Sequence, residues 1–277
     1  MSIFVRNQAY TGPVKAIVLD WAGTAVDYGS IGPAAVFVDV FAKFGMDVSV
    51  ADVRQFMGVA KKDHIRSICG LPSVAAQWQE QNGQPPDEND VERIYAETEP
   101  MMVDTVIRHA DLIPGLLETI ESLRQQGVKI GSSTGYTAPM MEALVPAARA
   151  LGYAPDAIVC ASDVPSGRPY PWMCYLNAIR LQVYPLEAIV KIGDTISDIE
   201  AGLNAGMWTV GLTQSGNELG LSEKEVSGLT EQDLQTKTDP IADRYRCAGA
   251  HYVVAGVWEV LPVIEDINTR LAAGEKP

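Results

Sequence analysis

Short apolar runs recur along this 277-residue chain, and segments with helical spacing of their apolar residues separate them. The first run, residues 15–20, reads KAIVLD and is typical of a strand that is buried on both faces of a sheet. Further short apolar runs occupy residues 128–132, 157–161, 188–192, 208–211 and 251–254. Strands that alternate with helices predict a doubly wound, Rossmann-like α/β fold with a parallel sheet.

A long interval after the first run has no segment typical of a strand. It contains helical spacing at 33–44, at 52–69 with a break near Gly58, and at 87–109, while 77–86 is polar and turn-rich. These patterns predict a helical cap domain, residues 29–107, inserted after the first strand. The core domain would then comprise residues 1–28 and 108–277.

Composition argues against several classes of protein. The formal net charge of −14 and the lack of a basic stripe argue against a nucleic-acid partner. No run of about 18 apolar residues is available to span a membrane, and the N-terminal stretch lacks the apolar segment of a signal peptide. The four cysteines form no C-x-x-C pair, which argues against a zinc site. We therefore expect a cytoplasmic protein without a nucleic-acid or membrane partner.

Reactive residues lie at or just after the ends of four predicted strands, where open α/β sheets bind their ligands. Asp20 and Asp194 follow two of these strands, and their carboxylates can share one Mg²⁺ ion. Thr134 and the N–H groups near Gly135 suit phosphoryl oxygens, and Arg168 offers them positive charge. Asp20 can also attack phosphorus as a nucleophile. As an alternative, the two aspartates only cap helices.

The order of these motifs resembles the haloacid dehalogenase-like (HAD) superfamily. The chain has D-x-x-G-T at 20–24, Thr134 after the second strand, Arg168 after the third, and G-D-x-x-x-D at 193–198. The resemblance implies the α/β core, a cap inserted after the first strand, and Asp20 as the nucleophile. It also implies that two further residues support the metal site: Thr24 and Asp198.

One position departs from the phosphatases of that superfamily, which read D-x-D and use the second Asp to protonate the leaving oxygen. Here Ala22 takes that place. Lys61, in the cap segment, suggests a different leaving group, because a lysine amine forms a Schiff base with an aldehyde. The protonated imine accepts the electrons of a broken carbon–phosphorus bond, and this step needs no acid at residue 22. The alternative is that Lys61, like its neighbour Lys62, is a solvated charge.

The cap and the core together resemble one family within the superfamily, the phosphonoacetaldehyde hydrolases. The resemblance rests on DWAGT at 20–24, Met-Gly followed by Lys61 and His64, STGYT at 133–137, GRPYPWMCY at 167–175, and GDTISD at 193–198. It implies cleavage of phosphonoacetaldehyde to acetaldehyde and phosphate, with a homodimer formed through the caps. It assigns the imine to Lys61, Mg²⁺ to Asp20, Asp194 and the Ala22 carbonyl, and the substrate pocket to Met57, His64, Gly135 and Tyr136. Ser30 lies where relatives carry Cys and receives no role.

Three other functions remain open. A phosphatase or phosphomutase would use the same core, although Ala22 speaks against it. A silent binding protein would keep the pocket without turnover, and a metal-free lysine aldolase would not need both Asp20 and Asp194. Because Lys61 lies in the cap and the other catalytic candidates lie in the core, we expect cap closure to assemble the site.

Overall fold

The computed structural model describes residues 9–277, so residues 1–8 of the predicted core and of the N-terminal stretch lie outside the described part. A parallel sheet with strand order β3-β2-β1-β4-β5-β6 organises the chain. Its strands are β1 (Ala16–Leu19), β2 (Lys129–Thr134), β3 (Ala157–Cys160), β4 (Ile189–Gly193), β5 (Trp208–Leu212) and β6 (Tyr252–Val254). The predicted doubly wound α/β fold is confirmed.

Twelve α-helices are present in the described residues. The first five, called the cap helices, are α1 (Ile31–Lys43), α2 (Val50–Arg54), α3 (Lys61–Cys69), α4 (Pro72–Asn82) and α5 (Glu88–Arg108). The others are α6 (Leu116–Gln125), α7 (Ala138–Ala150), α8 (Trp172–Leu181), α9 (Ile196–Ala205), α10 (Glu223–Ser227), α11 (Glu231–Cys247) and α12 (Val260–Ala272). Between residues 9 and 277, no helix has both the length and the apolar character that crossing a membrane requires.

The cap helices lie between β1 and β2, where the sequence predicts an insertion. The expected break near Gly58 is present, because α2 ends at Arg54 and α3 begins at Lys61. The longest helix, α5, starts with a capping box between Asp87 and Asp90, and it packs against both α1 and α7. The domain boundaries at 28/29 and 107/108 stay a prediction.

The turn-rich interpretation of residues 77–86 is wrong for its first half, because α4 continues to Asn82. Pro72 occupies the first turn of α4, where its missing N–H costs nothing. Val74 and Trp78 lie one turn apart and are buried, while most of the residues around them are polar and face outward. A buried stripe of only two side chains gives a weak periodic signal.

Both crossings between core and cap are tied together at Asp27. Its carboxylate accepts hydrogen bonds from the backbone N–H groups of Ile31 and Gly32 at the start of α1, each at 3.1 Å. The same carboxylate lies 3.2 Å from Nδ1 of His109, which follows α5. The backbone N–H of Asp27 also donates to the Asp111 carbonyl at 3.1 Å. The two segments that connect core and cap, one leading into α1 and one following α5, are therefore held side by side.

Candidate active site

Three buried carboxylates meet at the carboxyl edge of the two central strands. Asp20 follows β1, and its backbone N–H donates to the Ile192 carbonyl of β4 at 3.0 Å. Asp194 follows β4, and Asp198 lies in the first turn of α9. One oxygen from each of Asp20, Asp194 and Asp198 lies within 4.8 Å of the others, a group called the carboxylate cluster below. The strand order reverses here, which makes this edge a topological switch point.

Two buried cations face the carboxylate cluster. Nη2 of Arg168 donates to Oδ1 of Asp20 and, at 2.7 Å, to the Ser133 carbonyl, while Nη1 lies 3.0 Å from Oδ1 of Asp198. Nζ of Lys191 lies 2.5 Å from the same oxygen of Asp198. Lys191 was not predicted as a site residue. The available signal was a lysine in the middle of the apolar run of β4, where a charge needs a partner.

The electrostatics of the cluster are uneven. Burial raises the pKa of Asp20, although the Arg168 guanidinium opposes that rise. Burial also raises the pKa of Asp194, well above its ordinary value, and the charges of Asp20 and Asp198 add to the effect. Burial acts in the same direction on Asp198, but Arg168 and Lys191 outweigh it and hold the pKa of this carboxyl low. Surplus negative charge is therefore concentrated on Asp20 and Asp194.

This surplus tests whether a metal ion fits. Within residues 9–277 the three buried carboxylates form ion pairs with only two side chains, Arg168 and Lys191, and oxygen donors are what hard divalent cations prefer. Both oxygens of Asp194 are already oriented: Thr24 Oγ1 donates to Oδ1 at 3.1 Å, and the backbone N–H of Asn217 donates to Oδ2 at 2.7 Å. The cluster therefore fits a divalent cation. Asn217, like Lys191, was not predicted.

Lys61 enters the same site from the cap. It is the first residue of α3 and only 4 % exposed, and its Nζ lies 5.0 Å from the ring centroid of Tyr136 and 5.4 Å from that of Phe37. No hydrogen bond or ion pair to this amine occurs within residues 9–277. Burial lowers the pKa of Lys61 to about 8, with Asp20 opposing and Arg168 reinforcing the shift. Lys62, in contrast, is ion-paired with Glu92 at the surface.

Core and cap residues together line one cavity. It brings together most of the predicted site residues: Asp20, Ala22, Met57, Lys61, Thr134, Gly135, Tyr136, Arg168 and Asp194. Four further residues line it: Ser30, Pro33, Gly58 and Thr195. Ser30, to which the sequence assigned no role, is buried and has a left-handed backbone (φ 49°). The neighbouring sequence does not predict a left-handed backbone conformation at this serine.

The cap and core loops approach closely at Gly135. A Cβ atom on Gly135 would lie 2.6 Å from the Val59 carbonyl oxygen, so only glycine allows this contact. Thr134 Oγ1 accepts a hydrogen bond from the Tyr136 N–H at 3.1 Å, which orients the turn. The backbone of the cap segment 57–60 therefore rests directly on the loop that is expected to hold phosphoryl oxygens.

His64 is placed differently from the other predicted residues. It does not line the cavity; its ring packs on Phe37 with centroids 4.1 Å apart, and Nε2 lies 2.8 Å from the Val53 carbonyl. Burial and the nearby Lys61 lower the pKa of His64 to about 3, so the ring is neutral. Because a carbonyl only accepts, Nε2 carries the proton. Contact between His64 and substrate stays a prediction.

Comparisons with known proteins agree with one another. Residues 14–206 match the family model of haloacid dehalogenase-like hydrolases. A phosphonoacetaldehyde hydrolase of Syntrophobacter fumaroxidans is 55 % identical over 277 residues, and a phosphonoacetaldehyde hydrolase-like protein of the same organism is 54 % identical; each pairing covers both chains completely. The crystal structure of a phosphonoacetaldehyde hydrolase-like protein from Oleispira antarctica has a TM-score of 0.97 at 40 % identity, with full coverage of both chains.

Proposed function

The chain belongs to the haloacid dehalogenase-like hydrolases and, within them, to the phosphonoacetaldehyde hydrolase family, and we propose that it cleaves phosphonoacetaldehyde to acetaldehyde and phosphate. The observation that carries this proposal is a pairing within one cavity. A buried lysine amine without a charged partner among residues 9–277 shares that cavity with the Asp20 carboxylate. The position of a phosphatase's general acid is Ala22, which donates no proton.

Binding of the phosphonate group falls to the core. Arg168 would donate to the phosphonate oxygens, and the Thr134 hydroxyl and Gly135 N–H would complete their contacts. Asp20, Asp194 and the Ala22 carbonyl would hold Mg²⁺, which supplies positive charge next to the attacking carboxylate and the phosphoryl oxygens. Three other residues would act indirectly. Asp198, itself paired with Lys191, orients Arg168, and Thr24 orients Asp194. This division agrees with the hydrogen bonds within the carboxylate cluster.

Lys61 prepares the carbon side of the substrate. Its neutral amine attacks the aldehyde carbon, and loss of water from the resulting carbinolamine gives an iminium ion. An oxygen of Asp20 then attacks phosphorus. The carbon–phosphorus bond breaks, and its electron pair moves toward the iminium nitrogen to give a neutral enamine. No proton has to reach the leaving carbon in this step, in agreement with Ala22.

Two hydrolyses restore the enzyme. Water attacks the phosphorus of the Asp20 aspartyl phosphate, which releases phosphate and regenerates the carboxylate. Protonation of the enamine carbon and addition of water to the iminium carbon release acetaldehyde and the free Lys61 amine. Because α3 carries Lys61 over the core loops, we propose that the cap closes for the chemistry and opens for exchange of substrate and product.

Assembly and location are part of the proposal. The family resemblance supports a homodimer formed through the cap helices. Cytoplasmic location is supported by the four free cysteines, Cys69, Cys160, Cys174 and Cys247, which suit a reducing compartment. The substrate is a small molecule, and the net charge of −14 offers no general attraction to nucleic acid.

Borohydride trapping tests the function directly. Incubation with phosphonoacetaldehyde, Mg²⁺ and borohydride should give a reduced adduct, phosphonoethyl before carbon–phosphorus cleavage or ethyl after it, that peptide mapping places on the Lys61 nitrogen. In parallel without borohydride, phosphate release should require Mg²⁺ and be lost on chelation. Lys62→Ala, which removes the adjacent exposed amine, is the matched control and should give the same adduct.

The alternatives predict other results. Phosphate release without an adduct would indicate a phosphatase, especially if a simple phosphate ester were cleaved equally well. An adduct with chelation-resistant turnover would indicate a lysine aldolase. Adduct and turnover both absent would indicate a binding protein.

The rate of adduct formation should depend on pH in one direction. Only the neutral amine is nucleophilic, and the pKa of Lys61 is lowered to about 8, mainly by burial. Below that pH the neutral fraction rises about tenfold per pH unit, and above it the fraction saturates. The trapping rate at low substrate concentration should therefore climb from pH 6 to about 8 and then level off. A rate that is flat over that range, or that keeps rising to pH 10, would contradict the assignment.

A further inference from the structure

Arg54, the last residue of α2, makes hydrogen bonds to Gly29 at the start of the cap and to the core residues Asn217 and Gly220. Its Nη1 donates to the Gly29 carbonyl at 2.9 Å, and to the carbonyl and Oδ1 of Asn217 at 3.0 and 2.9 Å. Its Nη2 lies 3.3 Å from the Gly220 carbonyl. Asn217 returns a bond from Nδ2 to the Arg54 carbonyl at 3.2 Å. Arg54, Gly29, Asn217 and Gly220 are called the Arg54 clasp below.

No other side chain of the cap helices donates a hydrogen bond to residues outside 29–107 in the described part of the chain. The remaining cap arginines bond within the cap: Arg66 pairs with Asp63 and Glu88, and Arg93 pairs with Asp90. Five donors on a planar fork suit several carbonyl oxygens at once, which a lysine ammonium cannot match. The Arg54 clasp is therefore the main polar attachment that the cap side chains make to the core.

On the core side, the clasp reaches the carboxylate cluster through a single residue. Asn217 is buried, its side chain bonds to Arg54, and its backbone N–H donates to Oδ2 of Asp194 at 2.7 Å. In the same loop, Ser215 Oγ donates to the Gly23 carbonyl at 2.8 Å, next to the Asp20 motif. The loop that holds the cap is thus the loop that orients Asp194.

On the cap side, the end of α2 is tied to the segment that carries Lys61. The Arg54 carbonyl also accepts from the Met57 N–H at 3.2 Å, and the preceding carbonyl, that of Val53, accepts from Nε2 of His64 in α3. Lys61 lies one turn before His64 on the same helix. Hydrogen bonds therefore connect Asp194 to Asn217 and Asn217 to Arg54, and from Val53, the residue before Arg54, a further bond reaches His64 on the helix that carries Lys61.

We propose that Arg54 and Asn217 are positioning residues, which hold the cap-borne Lys61 amine over Asp20 in the closed enzyme. The proposal rests on the proposed function, and it adds the two residues that fix the position of the cap relative to the core. Neither residue lines the cavity, so both act through others. Opening of the cap would break the Arg54 clasp and free the side chain of Asn217. Closure and the orientation of Asp194 are coupled through that residue.

A double-mutant cycle tests the clasp. Arg54→Met keeps the length of the side-chain stem without the donors, and Asn217→Ala removes the partner side chain. Each should lower kcat/KM for phosphate release, and the rate of adduct formation on Lys61, by about 10- to 100-fold, the usual cost of misplacing reacting groups. The double variant should lose less than the product of the two single losses, because both variants remove the bond between the Arg54 guanidinium and Asn217 Oδ1. Arg54→Lys should recover part of the activity.

Hydrogen exchange supplies a readout that does not depend on turnover. In Arg54→Met, residues 55–64 and 213–220 should exchange faster than in the wild type, while α5 should be unchanged. The control is Arg66→Ala, which removes a cap arginine that bonds only within the cap, and it should match the wild type in kcat/KM and at both segments.

The proposal would be overturned if the losses in kcat/KM of the two single variants multiplied in the double variant. It would also be overturned if hydrogen exchange in Arg54→Met were no faster than in Arg66→Ala. If the wild type released no phosphate from phosphonoacetaldehyde, the proposed function would fail, and the exchange comparison would still decide whether Arg54 holds the cap.

Discussion

Replacing Asp20 by Asn is expected to slow phosphate release by about 10⁴-fold or more, while the borohydride adduct on Lys61 still forms. The amide has nearly the same shape but is not a nucleophile toward phosphorus. Lys61 keeps its cavity, since its amine has no ion pair or hydrogen bond with Asp20 in the structure. Phosphate release and adduct mapping on the same preparation would separate the two halves of the reaction.

The matched control for this variant is Asp39→Asn, which removes one exposed carboxylate from α1 and should leave both readouts near the wild-type level. If Asp20→Asn lost both the adduct and phosphate release, Asp20 would be needed for imine formation. The assignment of Asp20 to phosphorus alone would then be wrong. Phosphate release within tenfold of the wild type would exclude Asp20 as the nucleophile.

Replacing Lys61 by Met should abolish the adduct and lower turnover by at least about 10³-fold, yet make the protein more stable. The lysine is buried, and its pKa is lowered from 10.5 to about 8. A shift of this size corresponds to about 3 kcal/mol of unfavourable free energy in the folded, protonated state. Met fills a similar volume with apolar atoms, so we expect a gain of about 1–3 kcal/mol in the free energy of unfolding at pH 7.

The pH dependence of this gain has a defined sign. Below pH 8 the lysine is protonated in both the folded and the unfolded state, and the full cost is present. As the pH rises from about 8 to 10.5, the folded lysine loses its proton first, and the cost disappears. Urea unfolding at pH 7 and pH 10 should therefore show an advantage of Lys61→Met that shrinks at the higher pH. Lys62→Met, at an exposed amine, should show no such pattern, and a variant less stable than the wild type at pH 7 would refute the account.

Much of the fold and the site follows from local sequence. Short apolar runs with Asp20 and Asp194 behind them are enough to predict parallel strands whose ends converge, because a parallel sheet aligns its carboxyl ends at one edge. The nine cavity residues that were predicted lie at such strand ends, in the loop after β3, or in the cap segment around Lys61. Ala22 was informative because it stands where the phosphatases of the superfamily carry an acid, and so argues against that function.

The residues that were missed depend on long-range contacts. Arg54 and Asn217 are 163 positions apart, and nothing local to either segment distinguishes them from a surface arginine and a loop asparagine. Lys191 became interpretable only when β4 placed it against Asp198. In α4 the Ala, Gln and Glu residues favour a helix, but only Val74 and Trp78 are buried apolar side chains, which is too few to show an apolar face in the sequence.

The insertion of the cap helices between β1 and β2 has a consequence for how this enzyme can change. The residues proposed to act on phosphorus lie at the ends of the strands and in the loops after them, whereas Lys61, the amine proposed to act on the carbonyl, lies on a separate, inserted segment. Substitutions in the cap can therefore change the carbonyl half of the reaction without altering the residues of the phosphoryl half. A search for activity on other phosphonate carbonyl compounds should randomise the cap face around Pro33 and Met57 and leave the strand tips untouched.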